Sequence, residues 1–272
     1  NEQRFWQKES RILAAVSGGV DSMVLLHLLL QAQRQIGFSL GVVHINHQLR
    51  EESAEEAAYL RSYCEKKNLP LYVSVWEDPA KTAIETAARN FRYQAFTRVM
   101  EEEQYDTLMT AHHGDDQIET VLMKIIRGGQ LSTFSGIKEV QPFATGRLVR
   151  PLLSFSKEEL YAYAAESQLV YFEDQTNQLL DVQRNRLRHL VVPQLKQENT
   201  QVMRHFQQFS QQIQWADQVI QKCMGQLIEK EVEQLKDRFQ FSAEMIEKME
   251  EAERYIFSTP SSTKYSQKQG SF

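Results

Sequence analysis

The chain has 272 residues, 42% hydrophobic and 25% charged, with a net charge of −5. That length gives one large domain and a smaller one at about 150 residues each, with apolar residues enough for a sizeable core. Eleven glycines and six prolines, about half the usual share, exclude collagen-like and Gly/Pro-rich disordered chains, and the negative charge means that any bound nucleic acid meets a local basic patch.

Apolar, β-prone runs alternate with helical patterns through the first two-thirds. RILAAVS at 11–17 reads as a buried strand, and residues 21–35 as a helix stopping near Gly37. LGVVHIN at 40–46 is a second strand. A helix over 53–68 follows, with Ser53 as N-cap and Glu56 completing a capping box. LPLYVSVW at 69–76 is a third strand, residues 82–104 a long helix, DTLMTAH at 106–112 a fourth strand, and 115–128 a helix closed by Gly128-Gly129. Such alternation predicts a parallel, doubly wound sheet covered by helices on both faces. Region 130–155 reads as irregular except for LVRPLL at 148–153. A helix over 156–169 starts at Ser156, a loop follows, and a basic helix covers 181–197. From about 197 glutamine becomes dense and the helical period runs to about 238, so the chain is divided into a catalytic domain, 1–197, and a helical C-terminal region, 198–272. Its Ser/Lys/Gln-rich tail is expected to be poorly ordered.

No run of ~18 apolar residues marks a transmembrane helix, and the opening NEQRFWQKES has no signal-peptide core. The chain opens on Asn, which reads as a processed or partial chain. Cys64 and Cys223 form no CxxC pair and no zinc spacing, and fit a reducing, cytoplasmic compartment.

The strongest signal is Ser17-Gly18-Gly19-Val20-Asp21-Ser22, between a strand and a helix. Two glycines permit positive φ and close backbone approach, successive N–H groups make an anion nest, and the helix N-terminus adds positive charge. Ser17 and Ser22 add hydroxyls. The loop lacks the lysine of GxxxxGK[ST], so it is no kinase- or GTPase-type site, and it suits a pyrophosphate that is to leave. The hexapeptide resembles the PP-loop, or N-type, ATP pyrophosphatases, which cleave ATP between its α- and β-phosphates and adenylate a substrate.

Further segments narrow the resemblance: His44-Ile45-Asn46-His47-Gln48-Leu49-Arg50; Ala88-Arg89 with Arg92-Tyr93 and Phe96; Ala111-His112-His113-Gly114-Asp115-Asp116-Gln117-Ile118-Glu119-Thr120; Arg150-Pro151-Leu152-Leu153; Asp174-Gln175-Thr176-Asn177; and Arg184-Asn185-Arg186. Over about residues 11–195 the set is similar to the tRNA(Ile)-lysidine synthetase family. The resemblance implies an enzyme that uses ATP to activate C2 of the wobble cytidine in tRNA(Ile) with a CAU anticodon. L-lysine then attacks through its ε-amine, giving lysidine, AMP and pyrophosphate. Thr176 stands where the family more often has Ser, Gly128-Gly129-Gln130 replaces a longer glycine run, and only about 70 residues follow where the family adds further tRNA-gripping modules.

Within that chemistry, Ser17, Gly18, Gly19, Val20, Asp21, Ser22, Arg89 and His112 are the expected ATP contacts. Asp21, Asp115, Asp116 and Glu119 form the expected catalytic set. On a helix Asp116 and Glu119, and Asp115 and Glu119, share a face. Asp116 and Glu119 are assigned to the lysine ammonium, and Asp21 and Asp115, as alternatives, to Mg²⁺ or ATP. Zinc is discounted, since HH-x-DD has no recognised ligand spacing. His44 and His47 read equally as hydrogen-bonding core histidines, and Tyr93 and Phe96 as core. Arg150, Asn177, Arg184, Arg186 and Arg188 are the expected tRNA contacts, with Arg147, Lys196 and Arg204 adding positive charge; a solvated helix face is the plain alternative. No membrane is expected, and a homodimer stays open. A tRNA thiolase and a non-catalytic nucleotide-binding module are the competing readings. Replacing Asp21 with Ala, or Gly18 with Val, is expected to abolish pyrophosphate release while circular dichroism shows the fold intact.

Overall fold

Ile12, Leu13 and Ala14 have no exposed surface, as a strand covered on both faces requires. They lie in β1 (Arg11–Ala15), at the centre of a six-stranded sheet. The structure is a computed structural model that describes residues 5–46, 52–76, 84–173, 180–234, 239–241 and 243–257. After β1 come α1 (Val20–Ile36), β2 (Ser39–Asn46), α2 (Glu52–Lys67), β3 (Leu71–Val75), α3 (Ile84–Glu102), β4 (Thr107–Met109) and α4 (Gly114–Arg127). A 3₁₀ turn at Leu131–Ser135 leads to β5 (Val140–Phe143) and β6 (Gly146–Val149). Then follow α5 (Lys157–Glu166), α6 (Gln183–Arg186), a π-helical turn at Leu187–Val191 and α7 (Val192–Glu198). The last described elements are α8 (Val202–Glu231), a hairpin of β7 (Val232–Gln234) and β8 (Phe239–Phe241), α9 (Ala243–Lys248) and α10 (Glu251–Phe257).

The strand order is β3-β2-β1-β4-β6-β5, parallel throughout except for β5, which runs antiparallel to β6. The chain goes from β1 outward to β2 and β3, then returns to the other side of β1 at β4. That reversal opens a crevice at the carboxyl ends of β1 and β4, where ligands of open α/β sheets bind. Leu13 is level with Leu108 and Ala14 with Met109, so the loop after β1 lies beside the residues after β4. One face of the sheet packs on α1, α2 and α5 through Val24, Leu26, Leu60 and Leu160. The other packs on α3, where Phe96, Val99 and Met100 meet Leu13, Val43 and Leu108. Ile118 of α4 packs on Val192 and Val202.

The doubly wound reading of the strands and helices up to α5 holds. Gly37 ends α1 at φ 88, donating its N–H to Gln33 O at 2.8 Å. Ser156 caps α5, with its Oγ accepting from Glu159 N at 3.2 Å and Glu159 Oε2 accepting from Ser156 N at 2.7 Å. Three expectations change. Ser53 lies within α2, which is helical from Glu52. Region 130–155 contains a hairpin: β6 adds to the sheet and β5 forms its edge, a short strand bearing Pro142, which a central strand would not tolerate. The helix expected over 197–238 is α8 alone, separated from α7 by Asn199 in an extended conformation and followed by β7 and β8.

The chain divides into two compact units, Asn1–Gly128 with Gly136–Gln208, and Gly129–Ser135 with Phe209–Phe272. In the second, Gln214 Nε2 donates to Ser135 O at 3.0 Å, fixing the 3₁₀ turn to α8. The tail at 258–272 lies outside the described residues, as does His47. At Gly146, which opens β6, a methyl group would collide with the backbone carbonyl of Asp106, itself bonded to Arg147 N at 3.0 Å. Gly146→Ala is expected to cost about 1–3 kcal/mol, read as a lower urea midpoint at unchanged m-value.

Candidate active site

The loop between β1 and α1 is held from inside. Val16 N donates to Val43 O at 2.9 Å, and buried His44 donates from Nδ1 to Val16 O at 2.9 Å. Burial lowers the pKa of His44, against the pull of that hydrogen bond, so it is a neutral core histidine. Ser22 Oγ accepts from the N–H groups of Ser17 and Gly18, both at 3.2 Å, and donates to Gly19 O at 2.9 Å. Gly18 has φ +99, and a Cβ there would meet only ordinary contacts, Phe172 at 3.6 Å and Glu56 at 3.9 Å. The backbone angle, not space, therefore demands glycine. Gly19 is extended and opens α1, whose first N–H groups face the crevice end of the sheet. Buried Val20 anchors that first turn in the core.

Asp21 in the same turn is met by Lys157 of α5, whose Nζ lies 2.7 and 2.8 Å from the two carboxylate oxygens. Across the crevice, α4 begins with three carboxylates in five residues. Asp116 Oδ2 accepts from His113 N at 3.0 Å, and its Oδ1 from Arg184 Nη2 at 2.8 Å and Arg188 Nη2 at 3.3 Å. The Glu119 side chain has no exposed surface. Its oxygens accept from Arg184 Nε at 2.7 Å and from Arg188 Nε and Nη2 at 2.6 and 3.0 Å. Asp115 accepts from Lys157 N, at the start of α5, at 2.8 Å and pairs with Lys196 Nζ. Lys196 also holds Glu158 at 2.8 Å. The four carboxylates Asp21, Asp115, Asp116 and Glu119 thus each have a cationic partner, as does Glu158 at the exposed rim. His113, 3% exposed, lies among them, 3.7 Å from Asp21, 3.8 Å from Asp115 and 3.5 Å from Asp116.

The protonation states follow from this packing. Burial pushes the Asp116 carboxyl up, but His113, Arg184 and His112 together outweigh it and hold the group well below the usual carboxylate range. Burial pulls His112 down to about 4; Asp116 opposes this, while Arg150, Arg184 and Arg92 add to it. Burial would lower Lys196 and Arg188 as well, but their carboxylate partners raise both. Lys157, Lys196, Glu119, Arg188, Val192 and Pro193 are among the residues lining a cavity of about 330 Å³.

The structure brings Ser17–Ser22, Asp21, Asp115, Asp116, Glu119 and His112 to one end of the sheet. Arg184 and Arg188, expected on a phosphate-facing surface, instead turn inward onto Asp116 and Glu119, because those buried carboxylates need cations. Arg150 is also corrected: it is 5% exposed and donates from Nη1 to Lys138 O and, at 3.3 Å, to Gln141 Oε1, bracing β5. Arg186 is exposed, and its Nη1 donates to Leu180 O and Asp181 O, both at 2.8 Å. Arg89 is exposed on α3, its guanidinium 5.2 Å from the Tyr93 ring centre. Tyr93 packs on Phe96 and Phe143. Asn177 and the Asp174–Asn177 motif lie outside the described residues. His113, which with His112 reads from the sequence as lining the ATP or lysine site, lies among the carboxylates Asp21, Asp115 and Asp116; Lys157 is the residue that sequence reasoning misses, its only signal being the Ser-Lys-Glu-Glu helix start.

Among the described residues no group of three or more His, Cys, Asp or Glu is arranged to hold a metal ion. Mg²⁺ commonly binds through one or two carboxylates plus substrate phosphates. Asp21, part-exposed beside the loop, fits that mode. Asp115, committed to Lys157 N and Lys196, reads as the anchor of α5 and α7.

Residues 1–195 match the family model of the PP-loop domain, and the chain belongs to that family. It is 48% identical over 259 residues to a tRNA(Ile)-lysidine synthase of Enterococcus faecalis, covering 95% of this chain and 56% of that protein. It is 50% identical over 207 residues to a tRNA(Ile)-lysidine synthase of Lactiplantibacillus plantarum, covering 75% of this chain and 46% of the relative. The chain spans about half the length of the curated relatives it matches. Among solved structures, a U34-tRNA thiolase from Methanococcus maripaludis with its 4Fe-4S cluster shares the fold, with a TM-score of 0.66 at 17% identity over 76% of this chain and 73% of that one.

The lowered pKa of His112 has a measurable consequence. Below pH 6.5 the unfolded chain takes up a proton that the folded protein refuses until about pH 4, so stability falls across that window. The full loss is about 3 kcal/mol. His44 and His27, also lowered by burial, act in the same direction. Urea unfolding at pH 7 and pH 4.5 is expected to show this decline, with a smaller decline in His112→Asn; an unchanged slope in the variant would place the titration elsewhere.

Proposed function

We propose that this chain carries the ATP-dependent ligation of L-lysine to C2 of the wobble cytidine in tRNA(Ile) with a CAU anticodon. The C2 oxygen attacks the α-phosphorus of ATP and pyrophosphate leaves. The neutral ε-amine of lysine then attacks C2, and AMP leaves with the former C2 oxygen. The observation that carries this reading is the pairing of a phosphate loop after β1 with a charge-lined cavity at the start of α4, in the crevice where the strand order reverses. The names of the relatives supply the substrate pair.

The nucleotide's phosphates meet the N–H groups of the loop and the first turn of α1, with Ser17 and Ser22 beside them. Mg²⁺, carried in on the triphosphate, would draw on Asp21 and neutralise phosphate charge. Lysine suits the cavity by its chemistry: charged groups at each end and an apolar stem between them. Glu119 lies on one wall, Lys196 stands where a carboxylate would be held, and Val192 and Pro193 offer apolar surface. For a lysine ammonium to reach Asp116 and Glu119, Arg184 and Arg188 must share or yield those oxygens. Arg186, which is exposed, and Asn177, outside the described residues, remain the proposed backbone contacts to the tRNA, with Arg89 beside the nucleotide.

A tRNA thiolase shares the fold, but its sulfur chemistry asks for reactive thiolates. Cys64 is buried and its thiol is pushed up to about 11 by that burial, while Cys223 lies on α8 in the other unit. Both are unpaired, which suits a cytoplasmic setting. No helix among the described residues is long and apolar enough to cross a membrane. Whether the protein works as a homodimer is read from its mass in solution.

Pyrophosphate release and incorporation of labelled lysine into tRNA are expected to require ATP, lysine and the CAU-anticodon tRNA(Ile) together. They should persist in Cys64→Ala/Cys223→Ala. Turnover indifferent to lysine, or lost in the double variant, would overturn the ligase reading.

A further inference from the structure

The loop Ser17–Ser22 contains no basic residue, although the pyrophosphate it is read to grip carries several negative charges. A compact cation nevertheless stands beside it. Lys157 reaches from the first position of α5 to Asp21 in the first turn of α1, with its ammonium on both carboxylate oxygens. Its backbone is fixed independently, because Lys157 N donates to Asp115 Oδ2 at 2.8 Å and Ser156 caps the same helix. The ammonium also lies 5.0 Å from the Tyr161 ring centre, which limits its swing to one side. The side chain is 31% exposed and lines the cavity, so it is accessible to a ligand from that side. An ammonium has three donors, and two contacts to Asp21 leave capacity for another acceptor.

We infer that Lys157 is the phosphate-site cation of this loop, delivered through space from α5 in place of the lysine that other phosphate loops carry in sequence, and that it contacts the pyrophosphate half of the nucleotide. In the ligand-free protein Asp21 holds the ammonium ready. With nucleotide bound, Asp21 would be free to serve its Mg²⁺, and the Lys157 ammonium would serve the phosphate oxygens. Lys157 is then a binding and charge-neutralising residue for the leaving group. The inference rests on the nucleotide-binding part of the proposed function and not on its lysine or tRNA specificity.

The test is equilibrium binding of ATP, adenosine and inorganic pyrophosphate to the full chain, with Lys157→Met and Lys157→Arg. One charge-assisted hydrogen bond corresponds to about tenfold to a hundredfold in affinity. Lys157→Met is expected to weaken ATP and pyrophosphate by that factor and leave adenosine unchanged, and Lys157→Arg to recover part of the loss. Because the Met variant also bares Asp21, the same substitution is made in an Asp21→Asn background, where the double-mutant cycle separates direct contact from action through Asp21. That background also tests the inference should the single variant fail to fold. A loss of ATP affinity that persists there supports the assignment. Equal losses for ATP and adenosine, or no loss in the Asp21→Asn background, would overturn it and make Lys157 a structural partner of Asp21. Absence of ATP and pyrophosphate binding to the unaltered chain would instead remove the nucleotide reading itself, whereas failure of lysine incorporation with these affinities intact would touch only the ligase assignment.

Discussion

Glu119 buries a carboxylate completely, and a charge in that position is tolerated only when paired and fully hydrogen-bonded. Two guanidiniums meet that demand, and they come from a segment some 65 residues further along the chain. The same logic repeats at Asp116, Asp115 and Asp21. Each acidic group at this end of the sheet draws in a cation from α5, α6, the π turn or α7. Those elements are therefore tied to α4 and α1 by charge, and α7 is tied to α4 also by the small apolar patch of Ile118, Val192 and Val202. Removing one partner would strand the other in a poorly solvated place. The neutrality of the cluster is thus a condition for the crevice to exist in this shape.

The cluster is also what makes the site chemically versatile. Its cations and carboxylates are matched in the ligand-free protein, so a ligand bearing either charge enters by exchange. In the proposed function a triphosphate would compete with Asp21 for Lys157, and the substrate lysine with Arg184, Arg188 and Lys196 for their partners. Each exchange replaces one ion pair with another of similar kind, which limits the desolvation cost of binding. The sheet contributes position: the strand order reverses between β1 and β4, so the phosphate loop and the acidic helix start face each other across one crevice.

Much of this was legible in the sequence because it is local. The alternation of buried strands and helices gave the doubly wound sheet, and a strand–Gly-Gly–helix junction marked the phosphate loop. Asp115, Asp116 and Glu119 share a helix start, so their proximity follows from helical period alone. What was not legible depends on contacts between distant residues. Nothing in the spacing of Arg184 and Arg188 says which way their shared face points; only the burial of Glu119 decides that. Arg150 reads as an accessible basic residue until β5 folds back as an edge strand and covers it. That strand escaped notice because its four residues include a proline and show no clean alternation. Nothing local marks Lys157, because its partner lies 136 positions away.

The π-helical turn at Leu187–Val191 sets the angular phase of the basic segment. In an uninterrupted α-helix, Lys196 would sit about 80° around the axis from Arg188. Absorbing one extra residue in a wider turn brings the two to within about 20° of each other. A single stretch of chain can then address Glu119 with one residue and Asp115 with another, like two teeth of a key cut to the same edge. One residue gained or lost here would rotate Lys196 off the acidic floor, so the geometry of this chain depends on the length of the segment as well as on its charges.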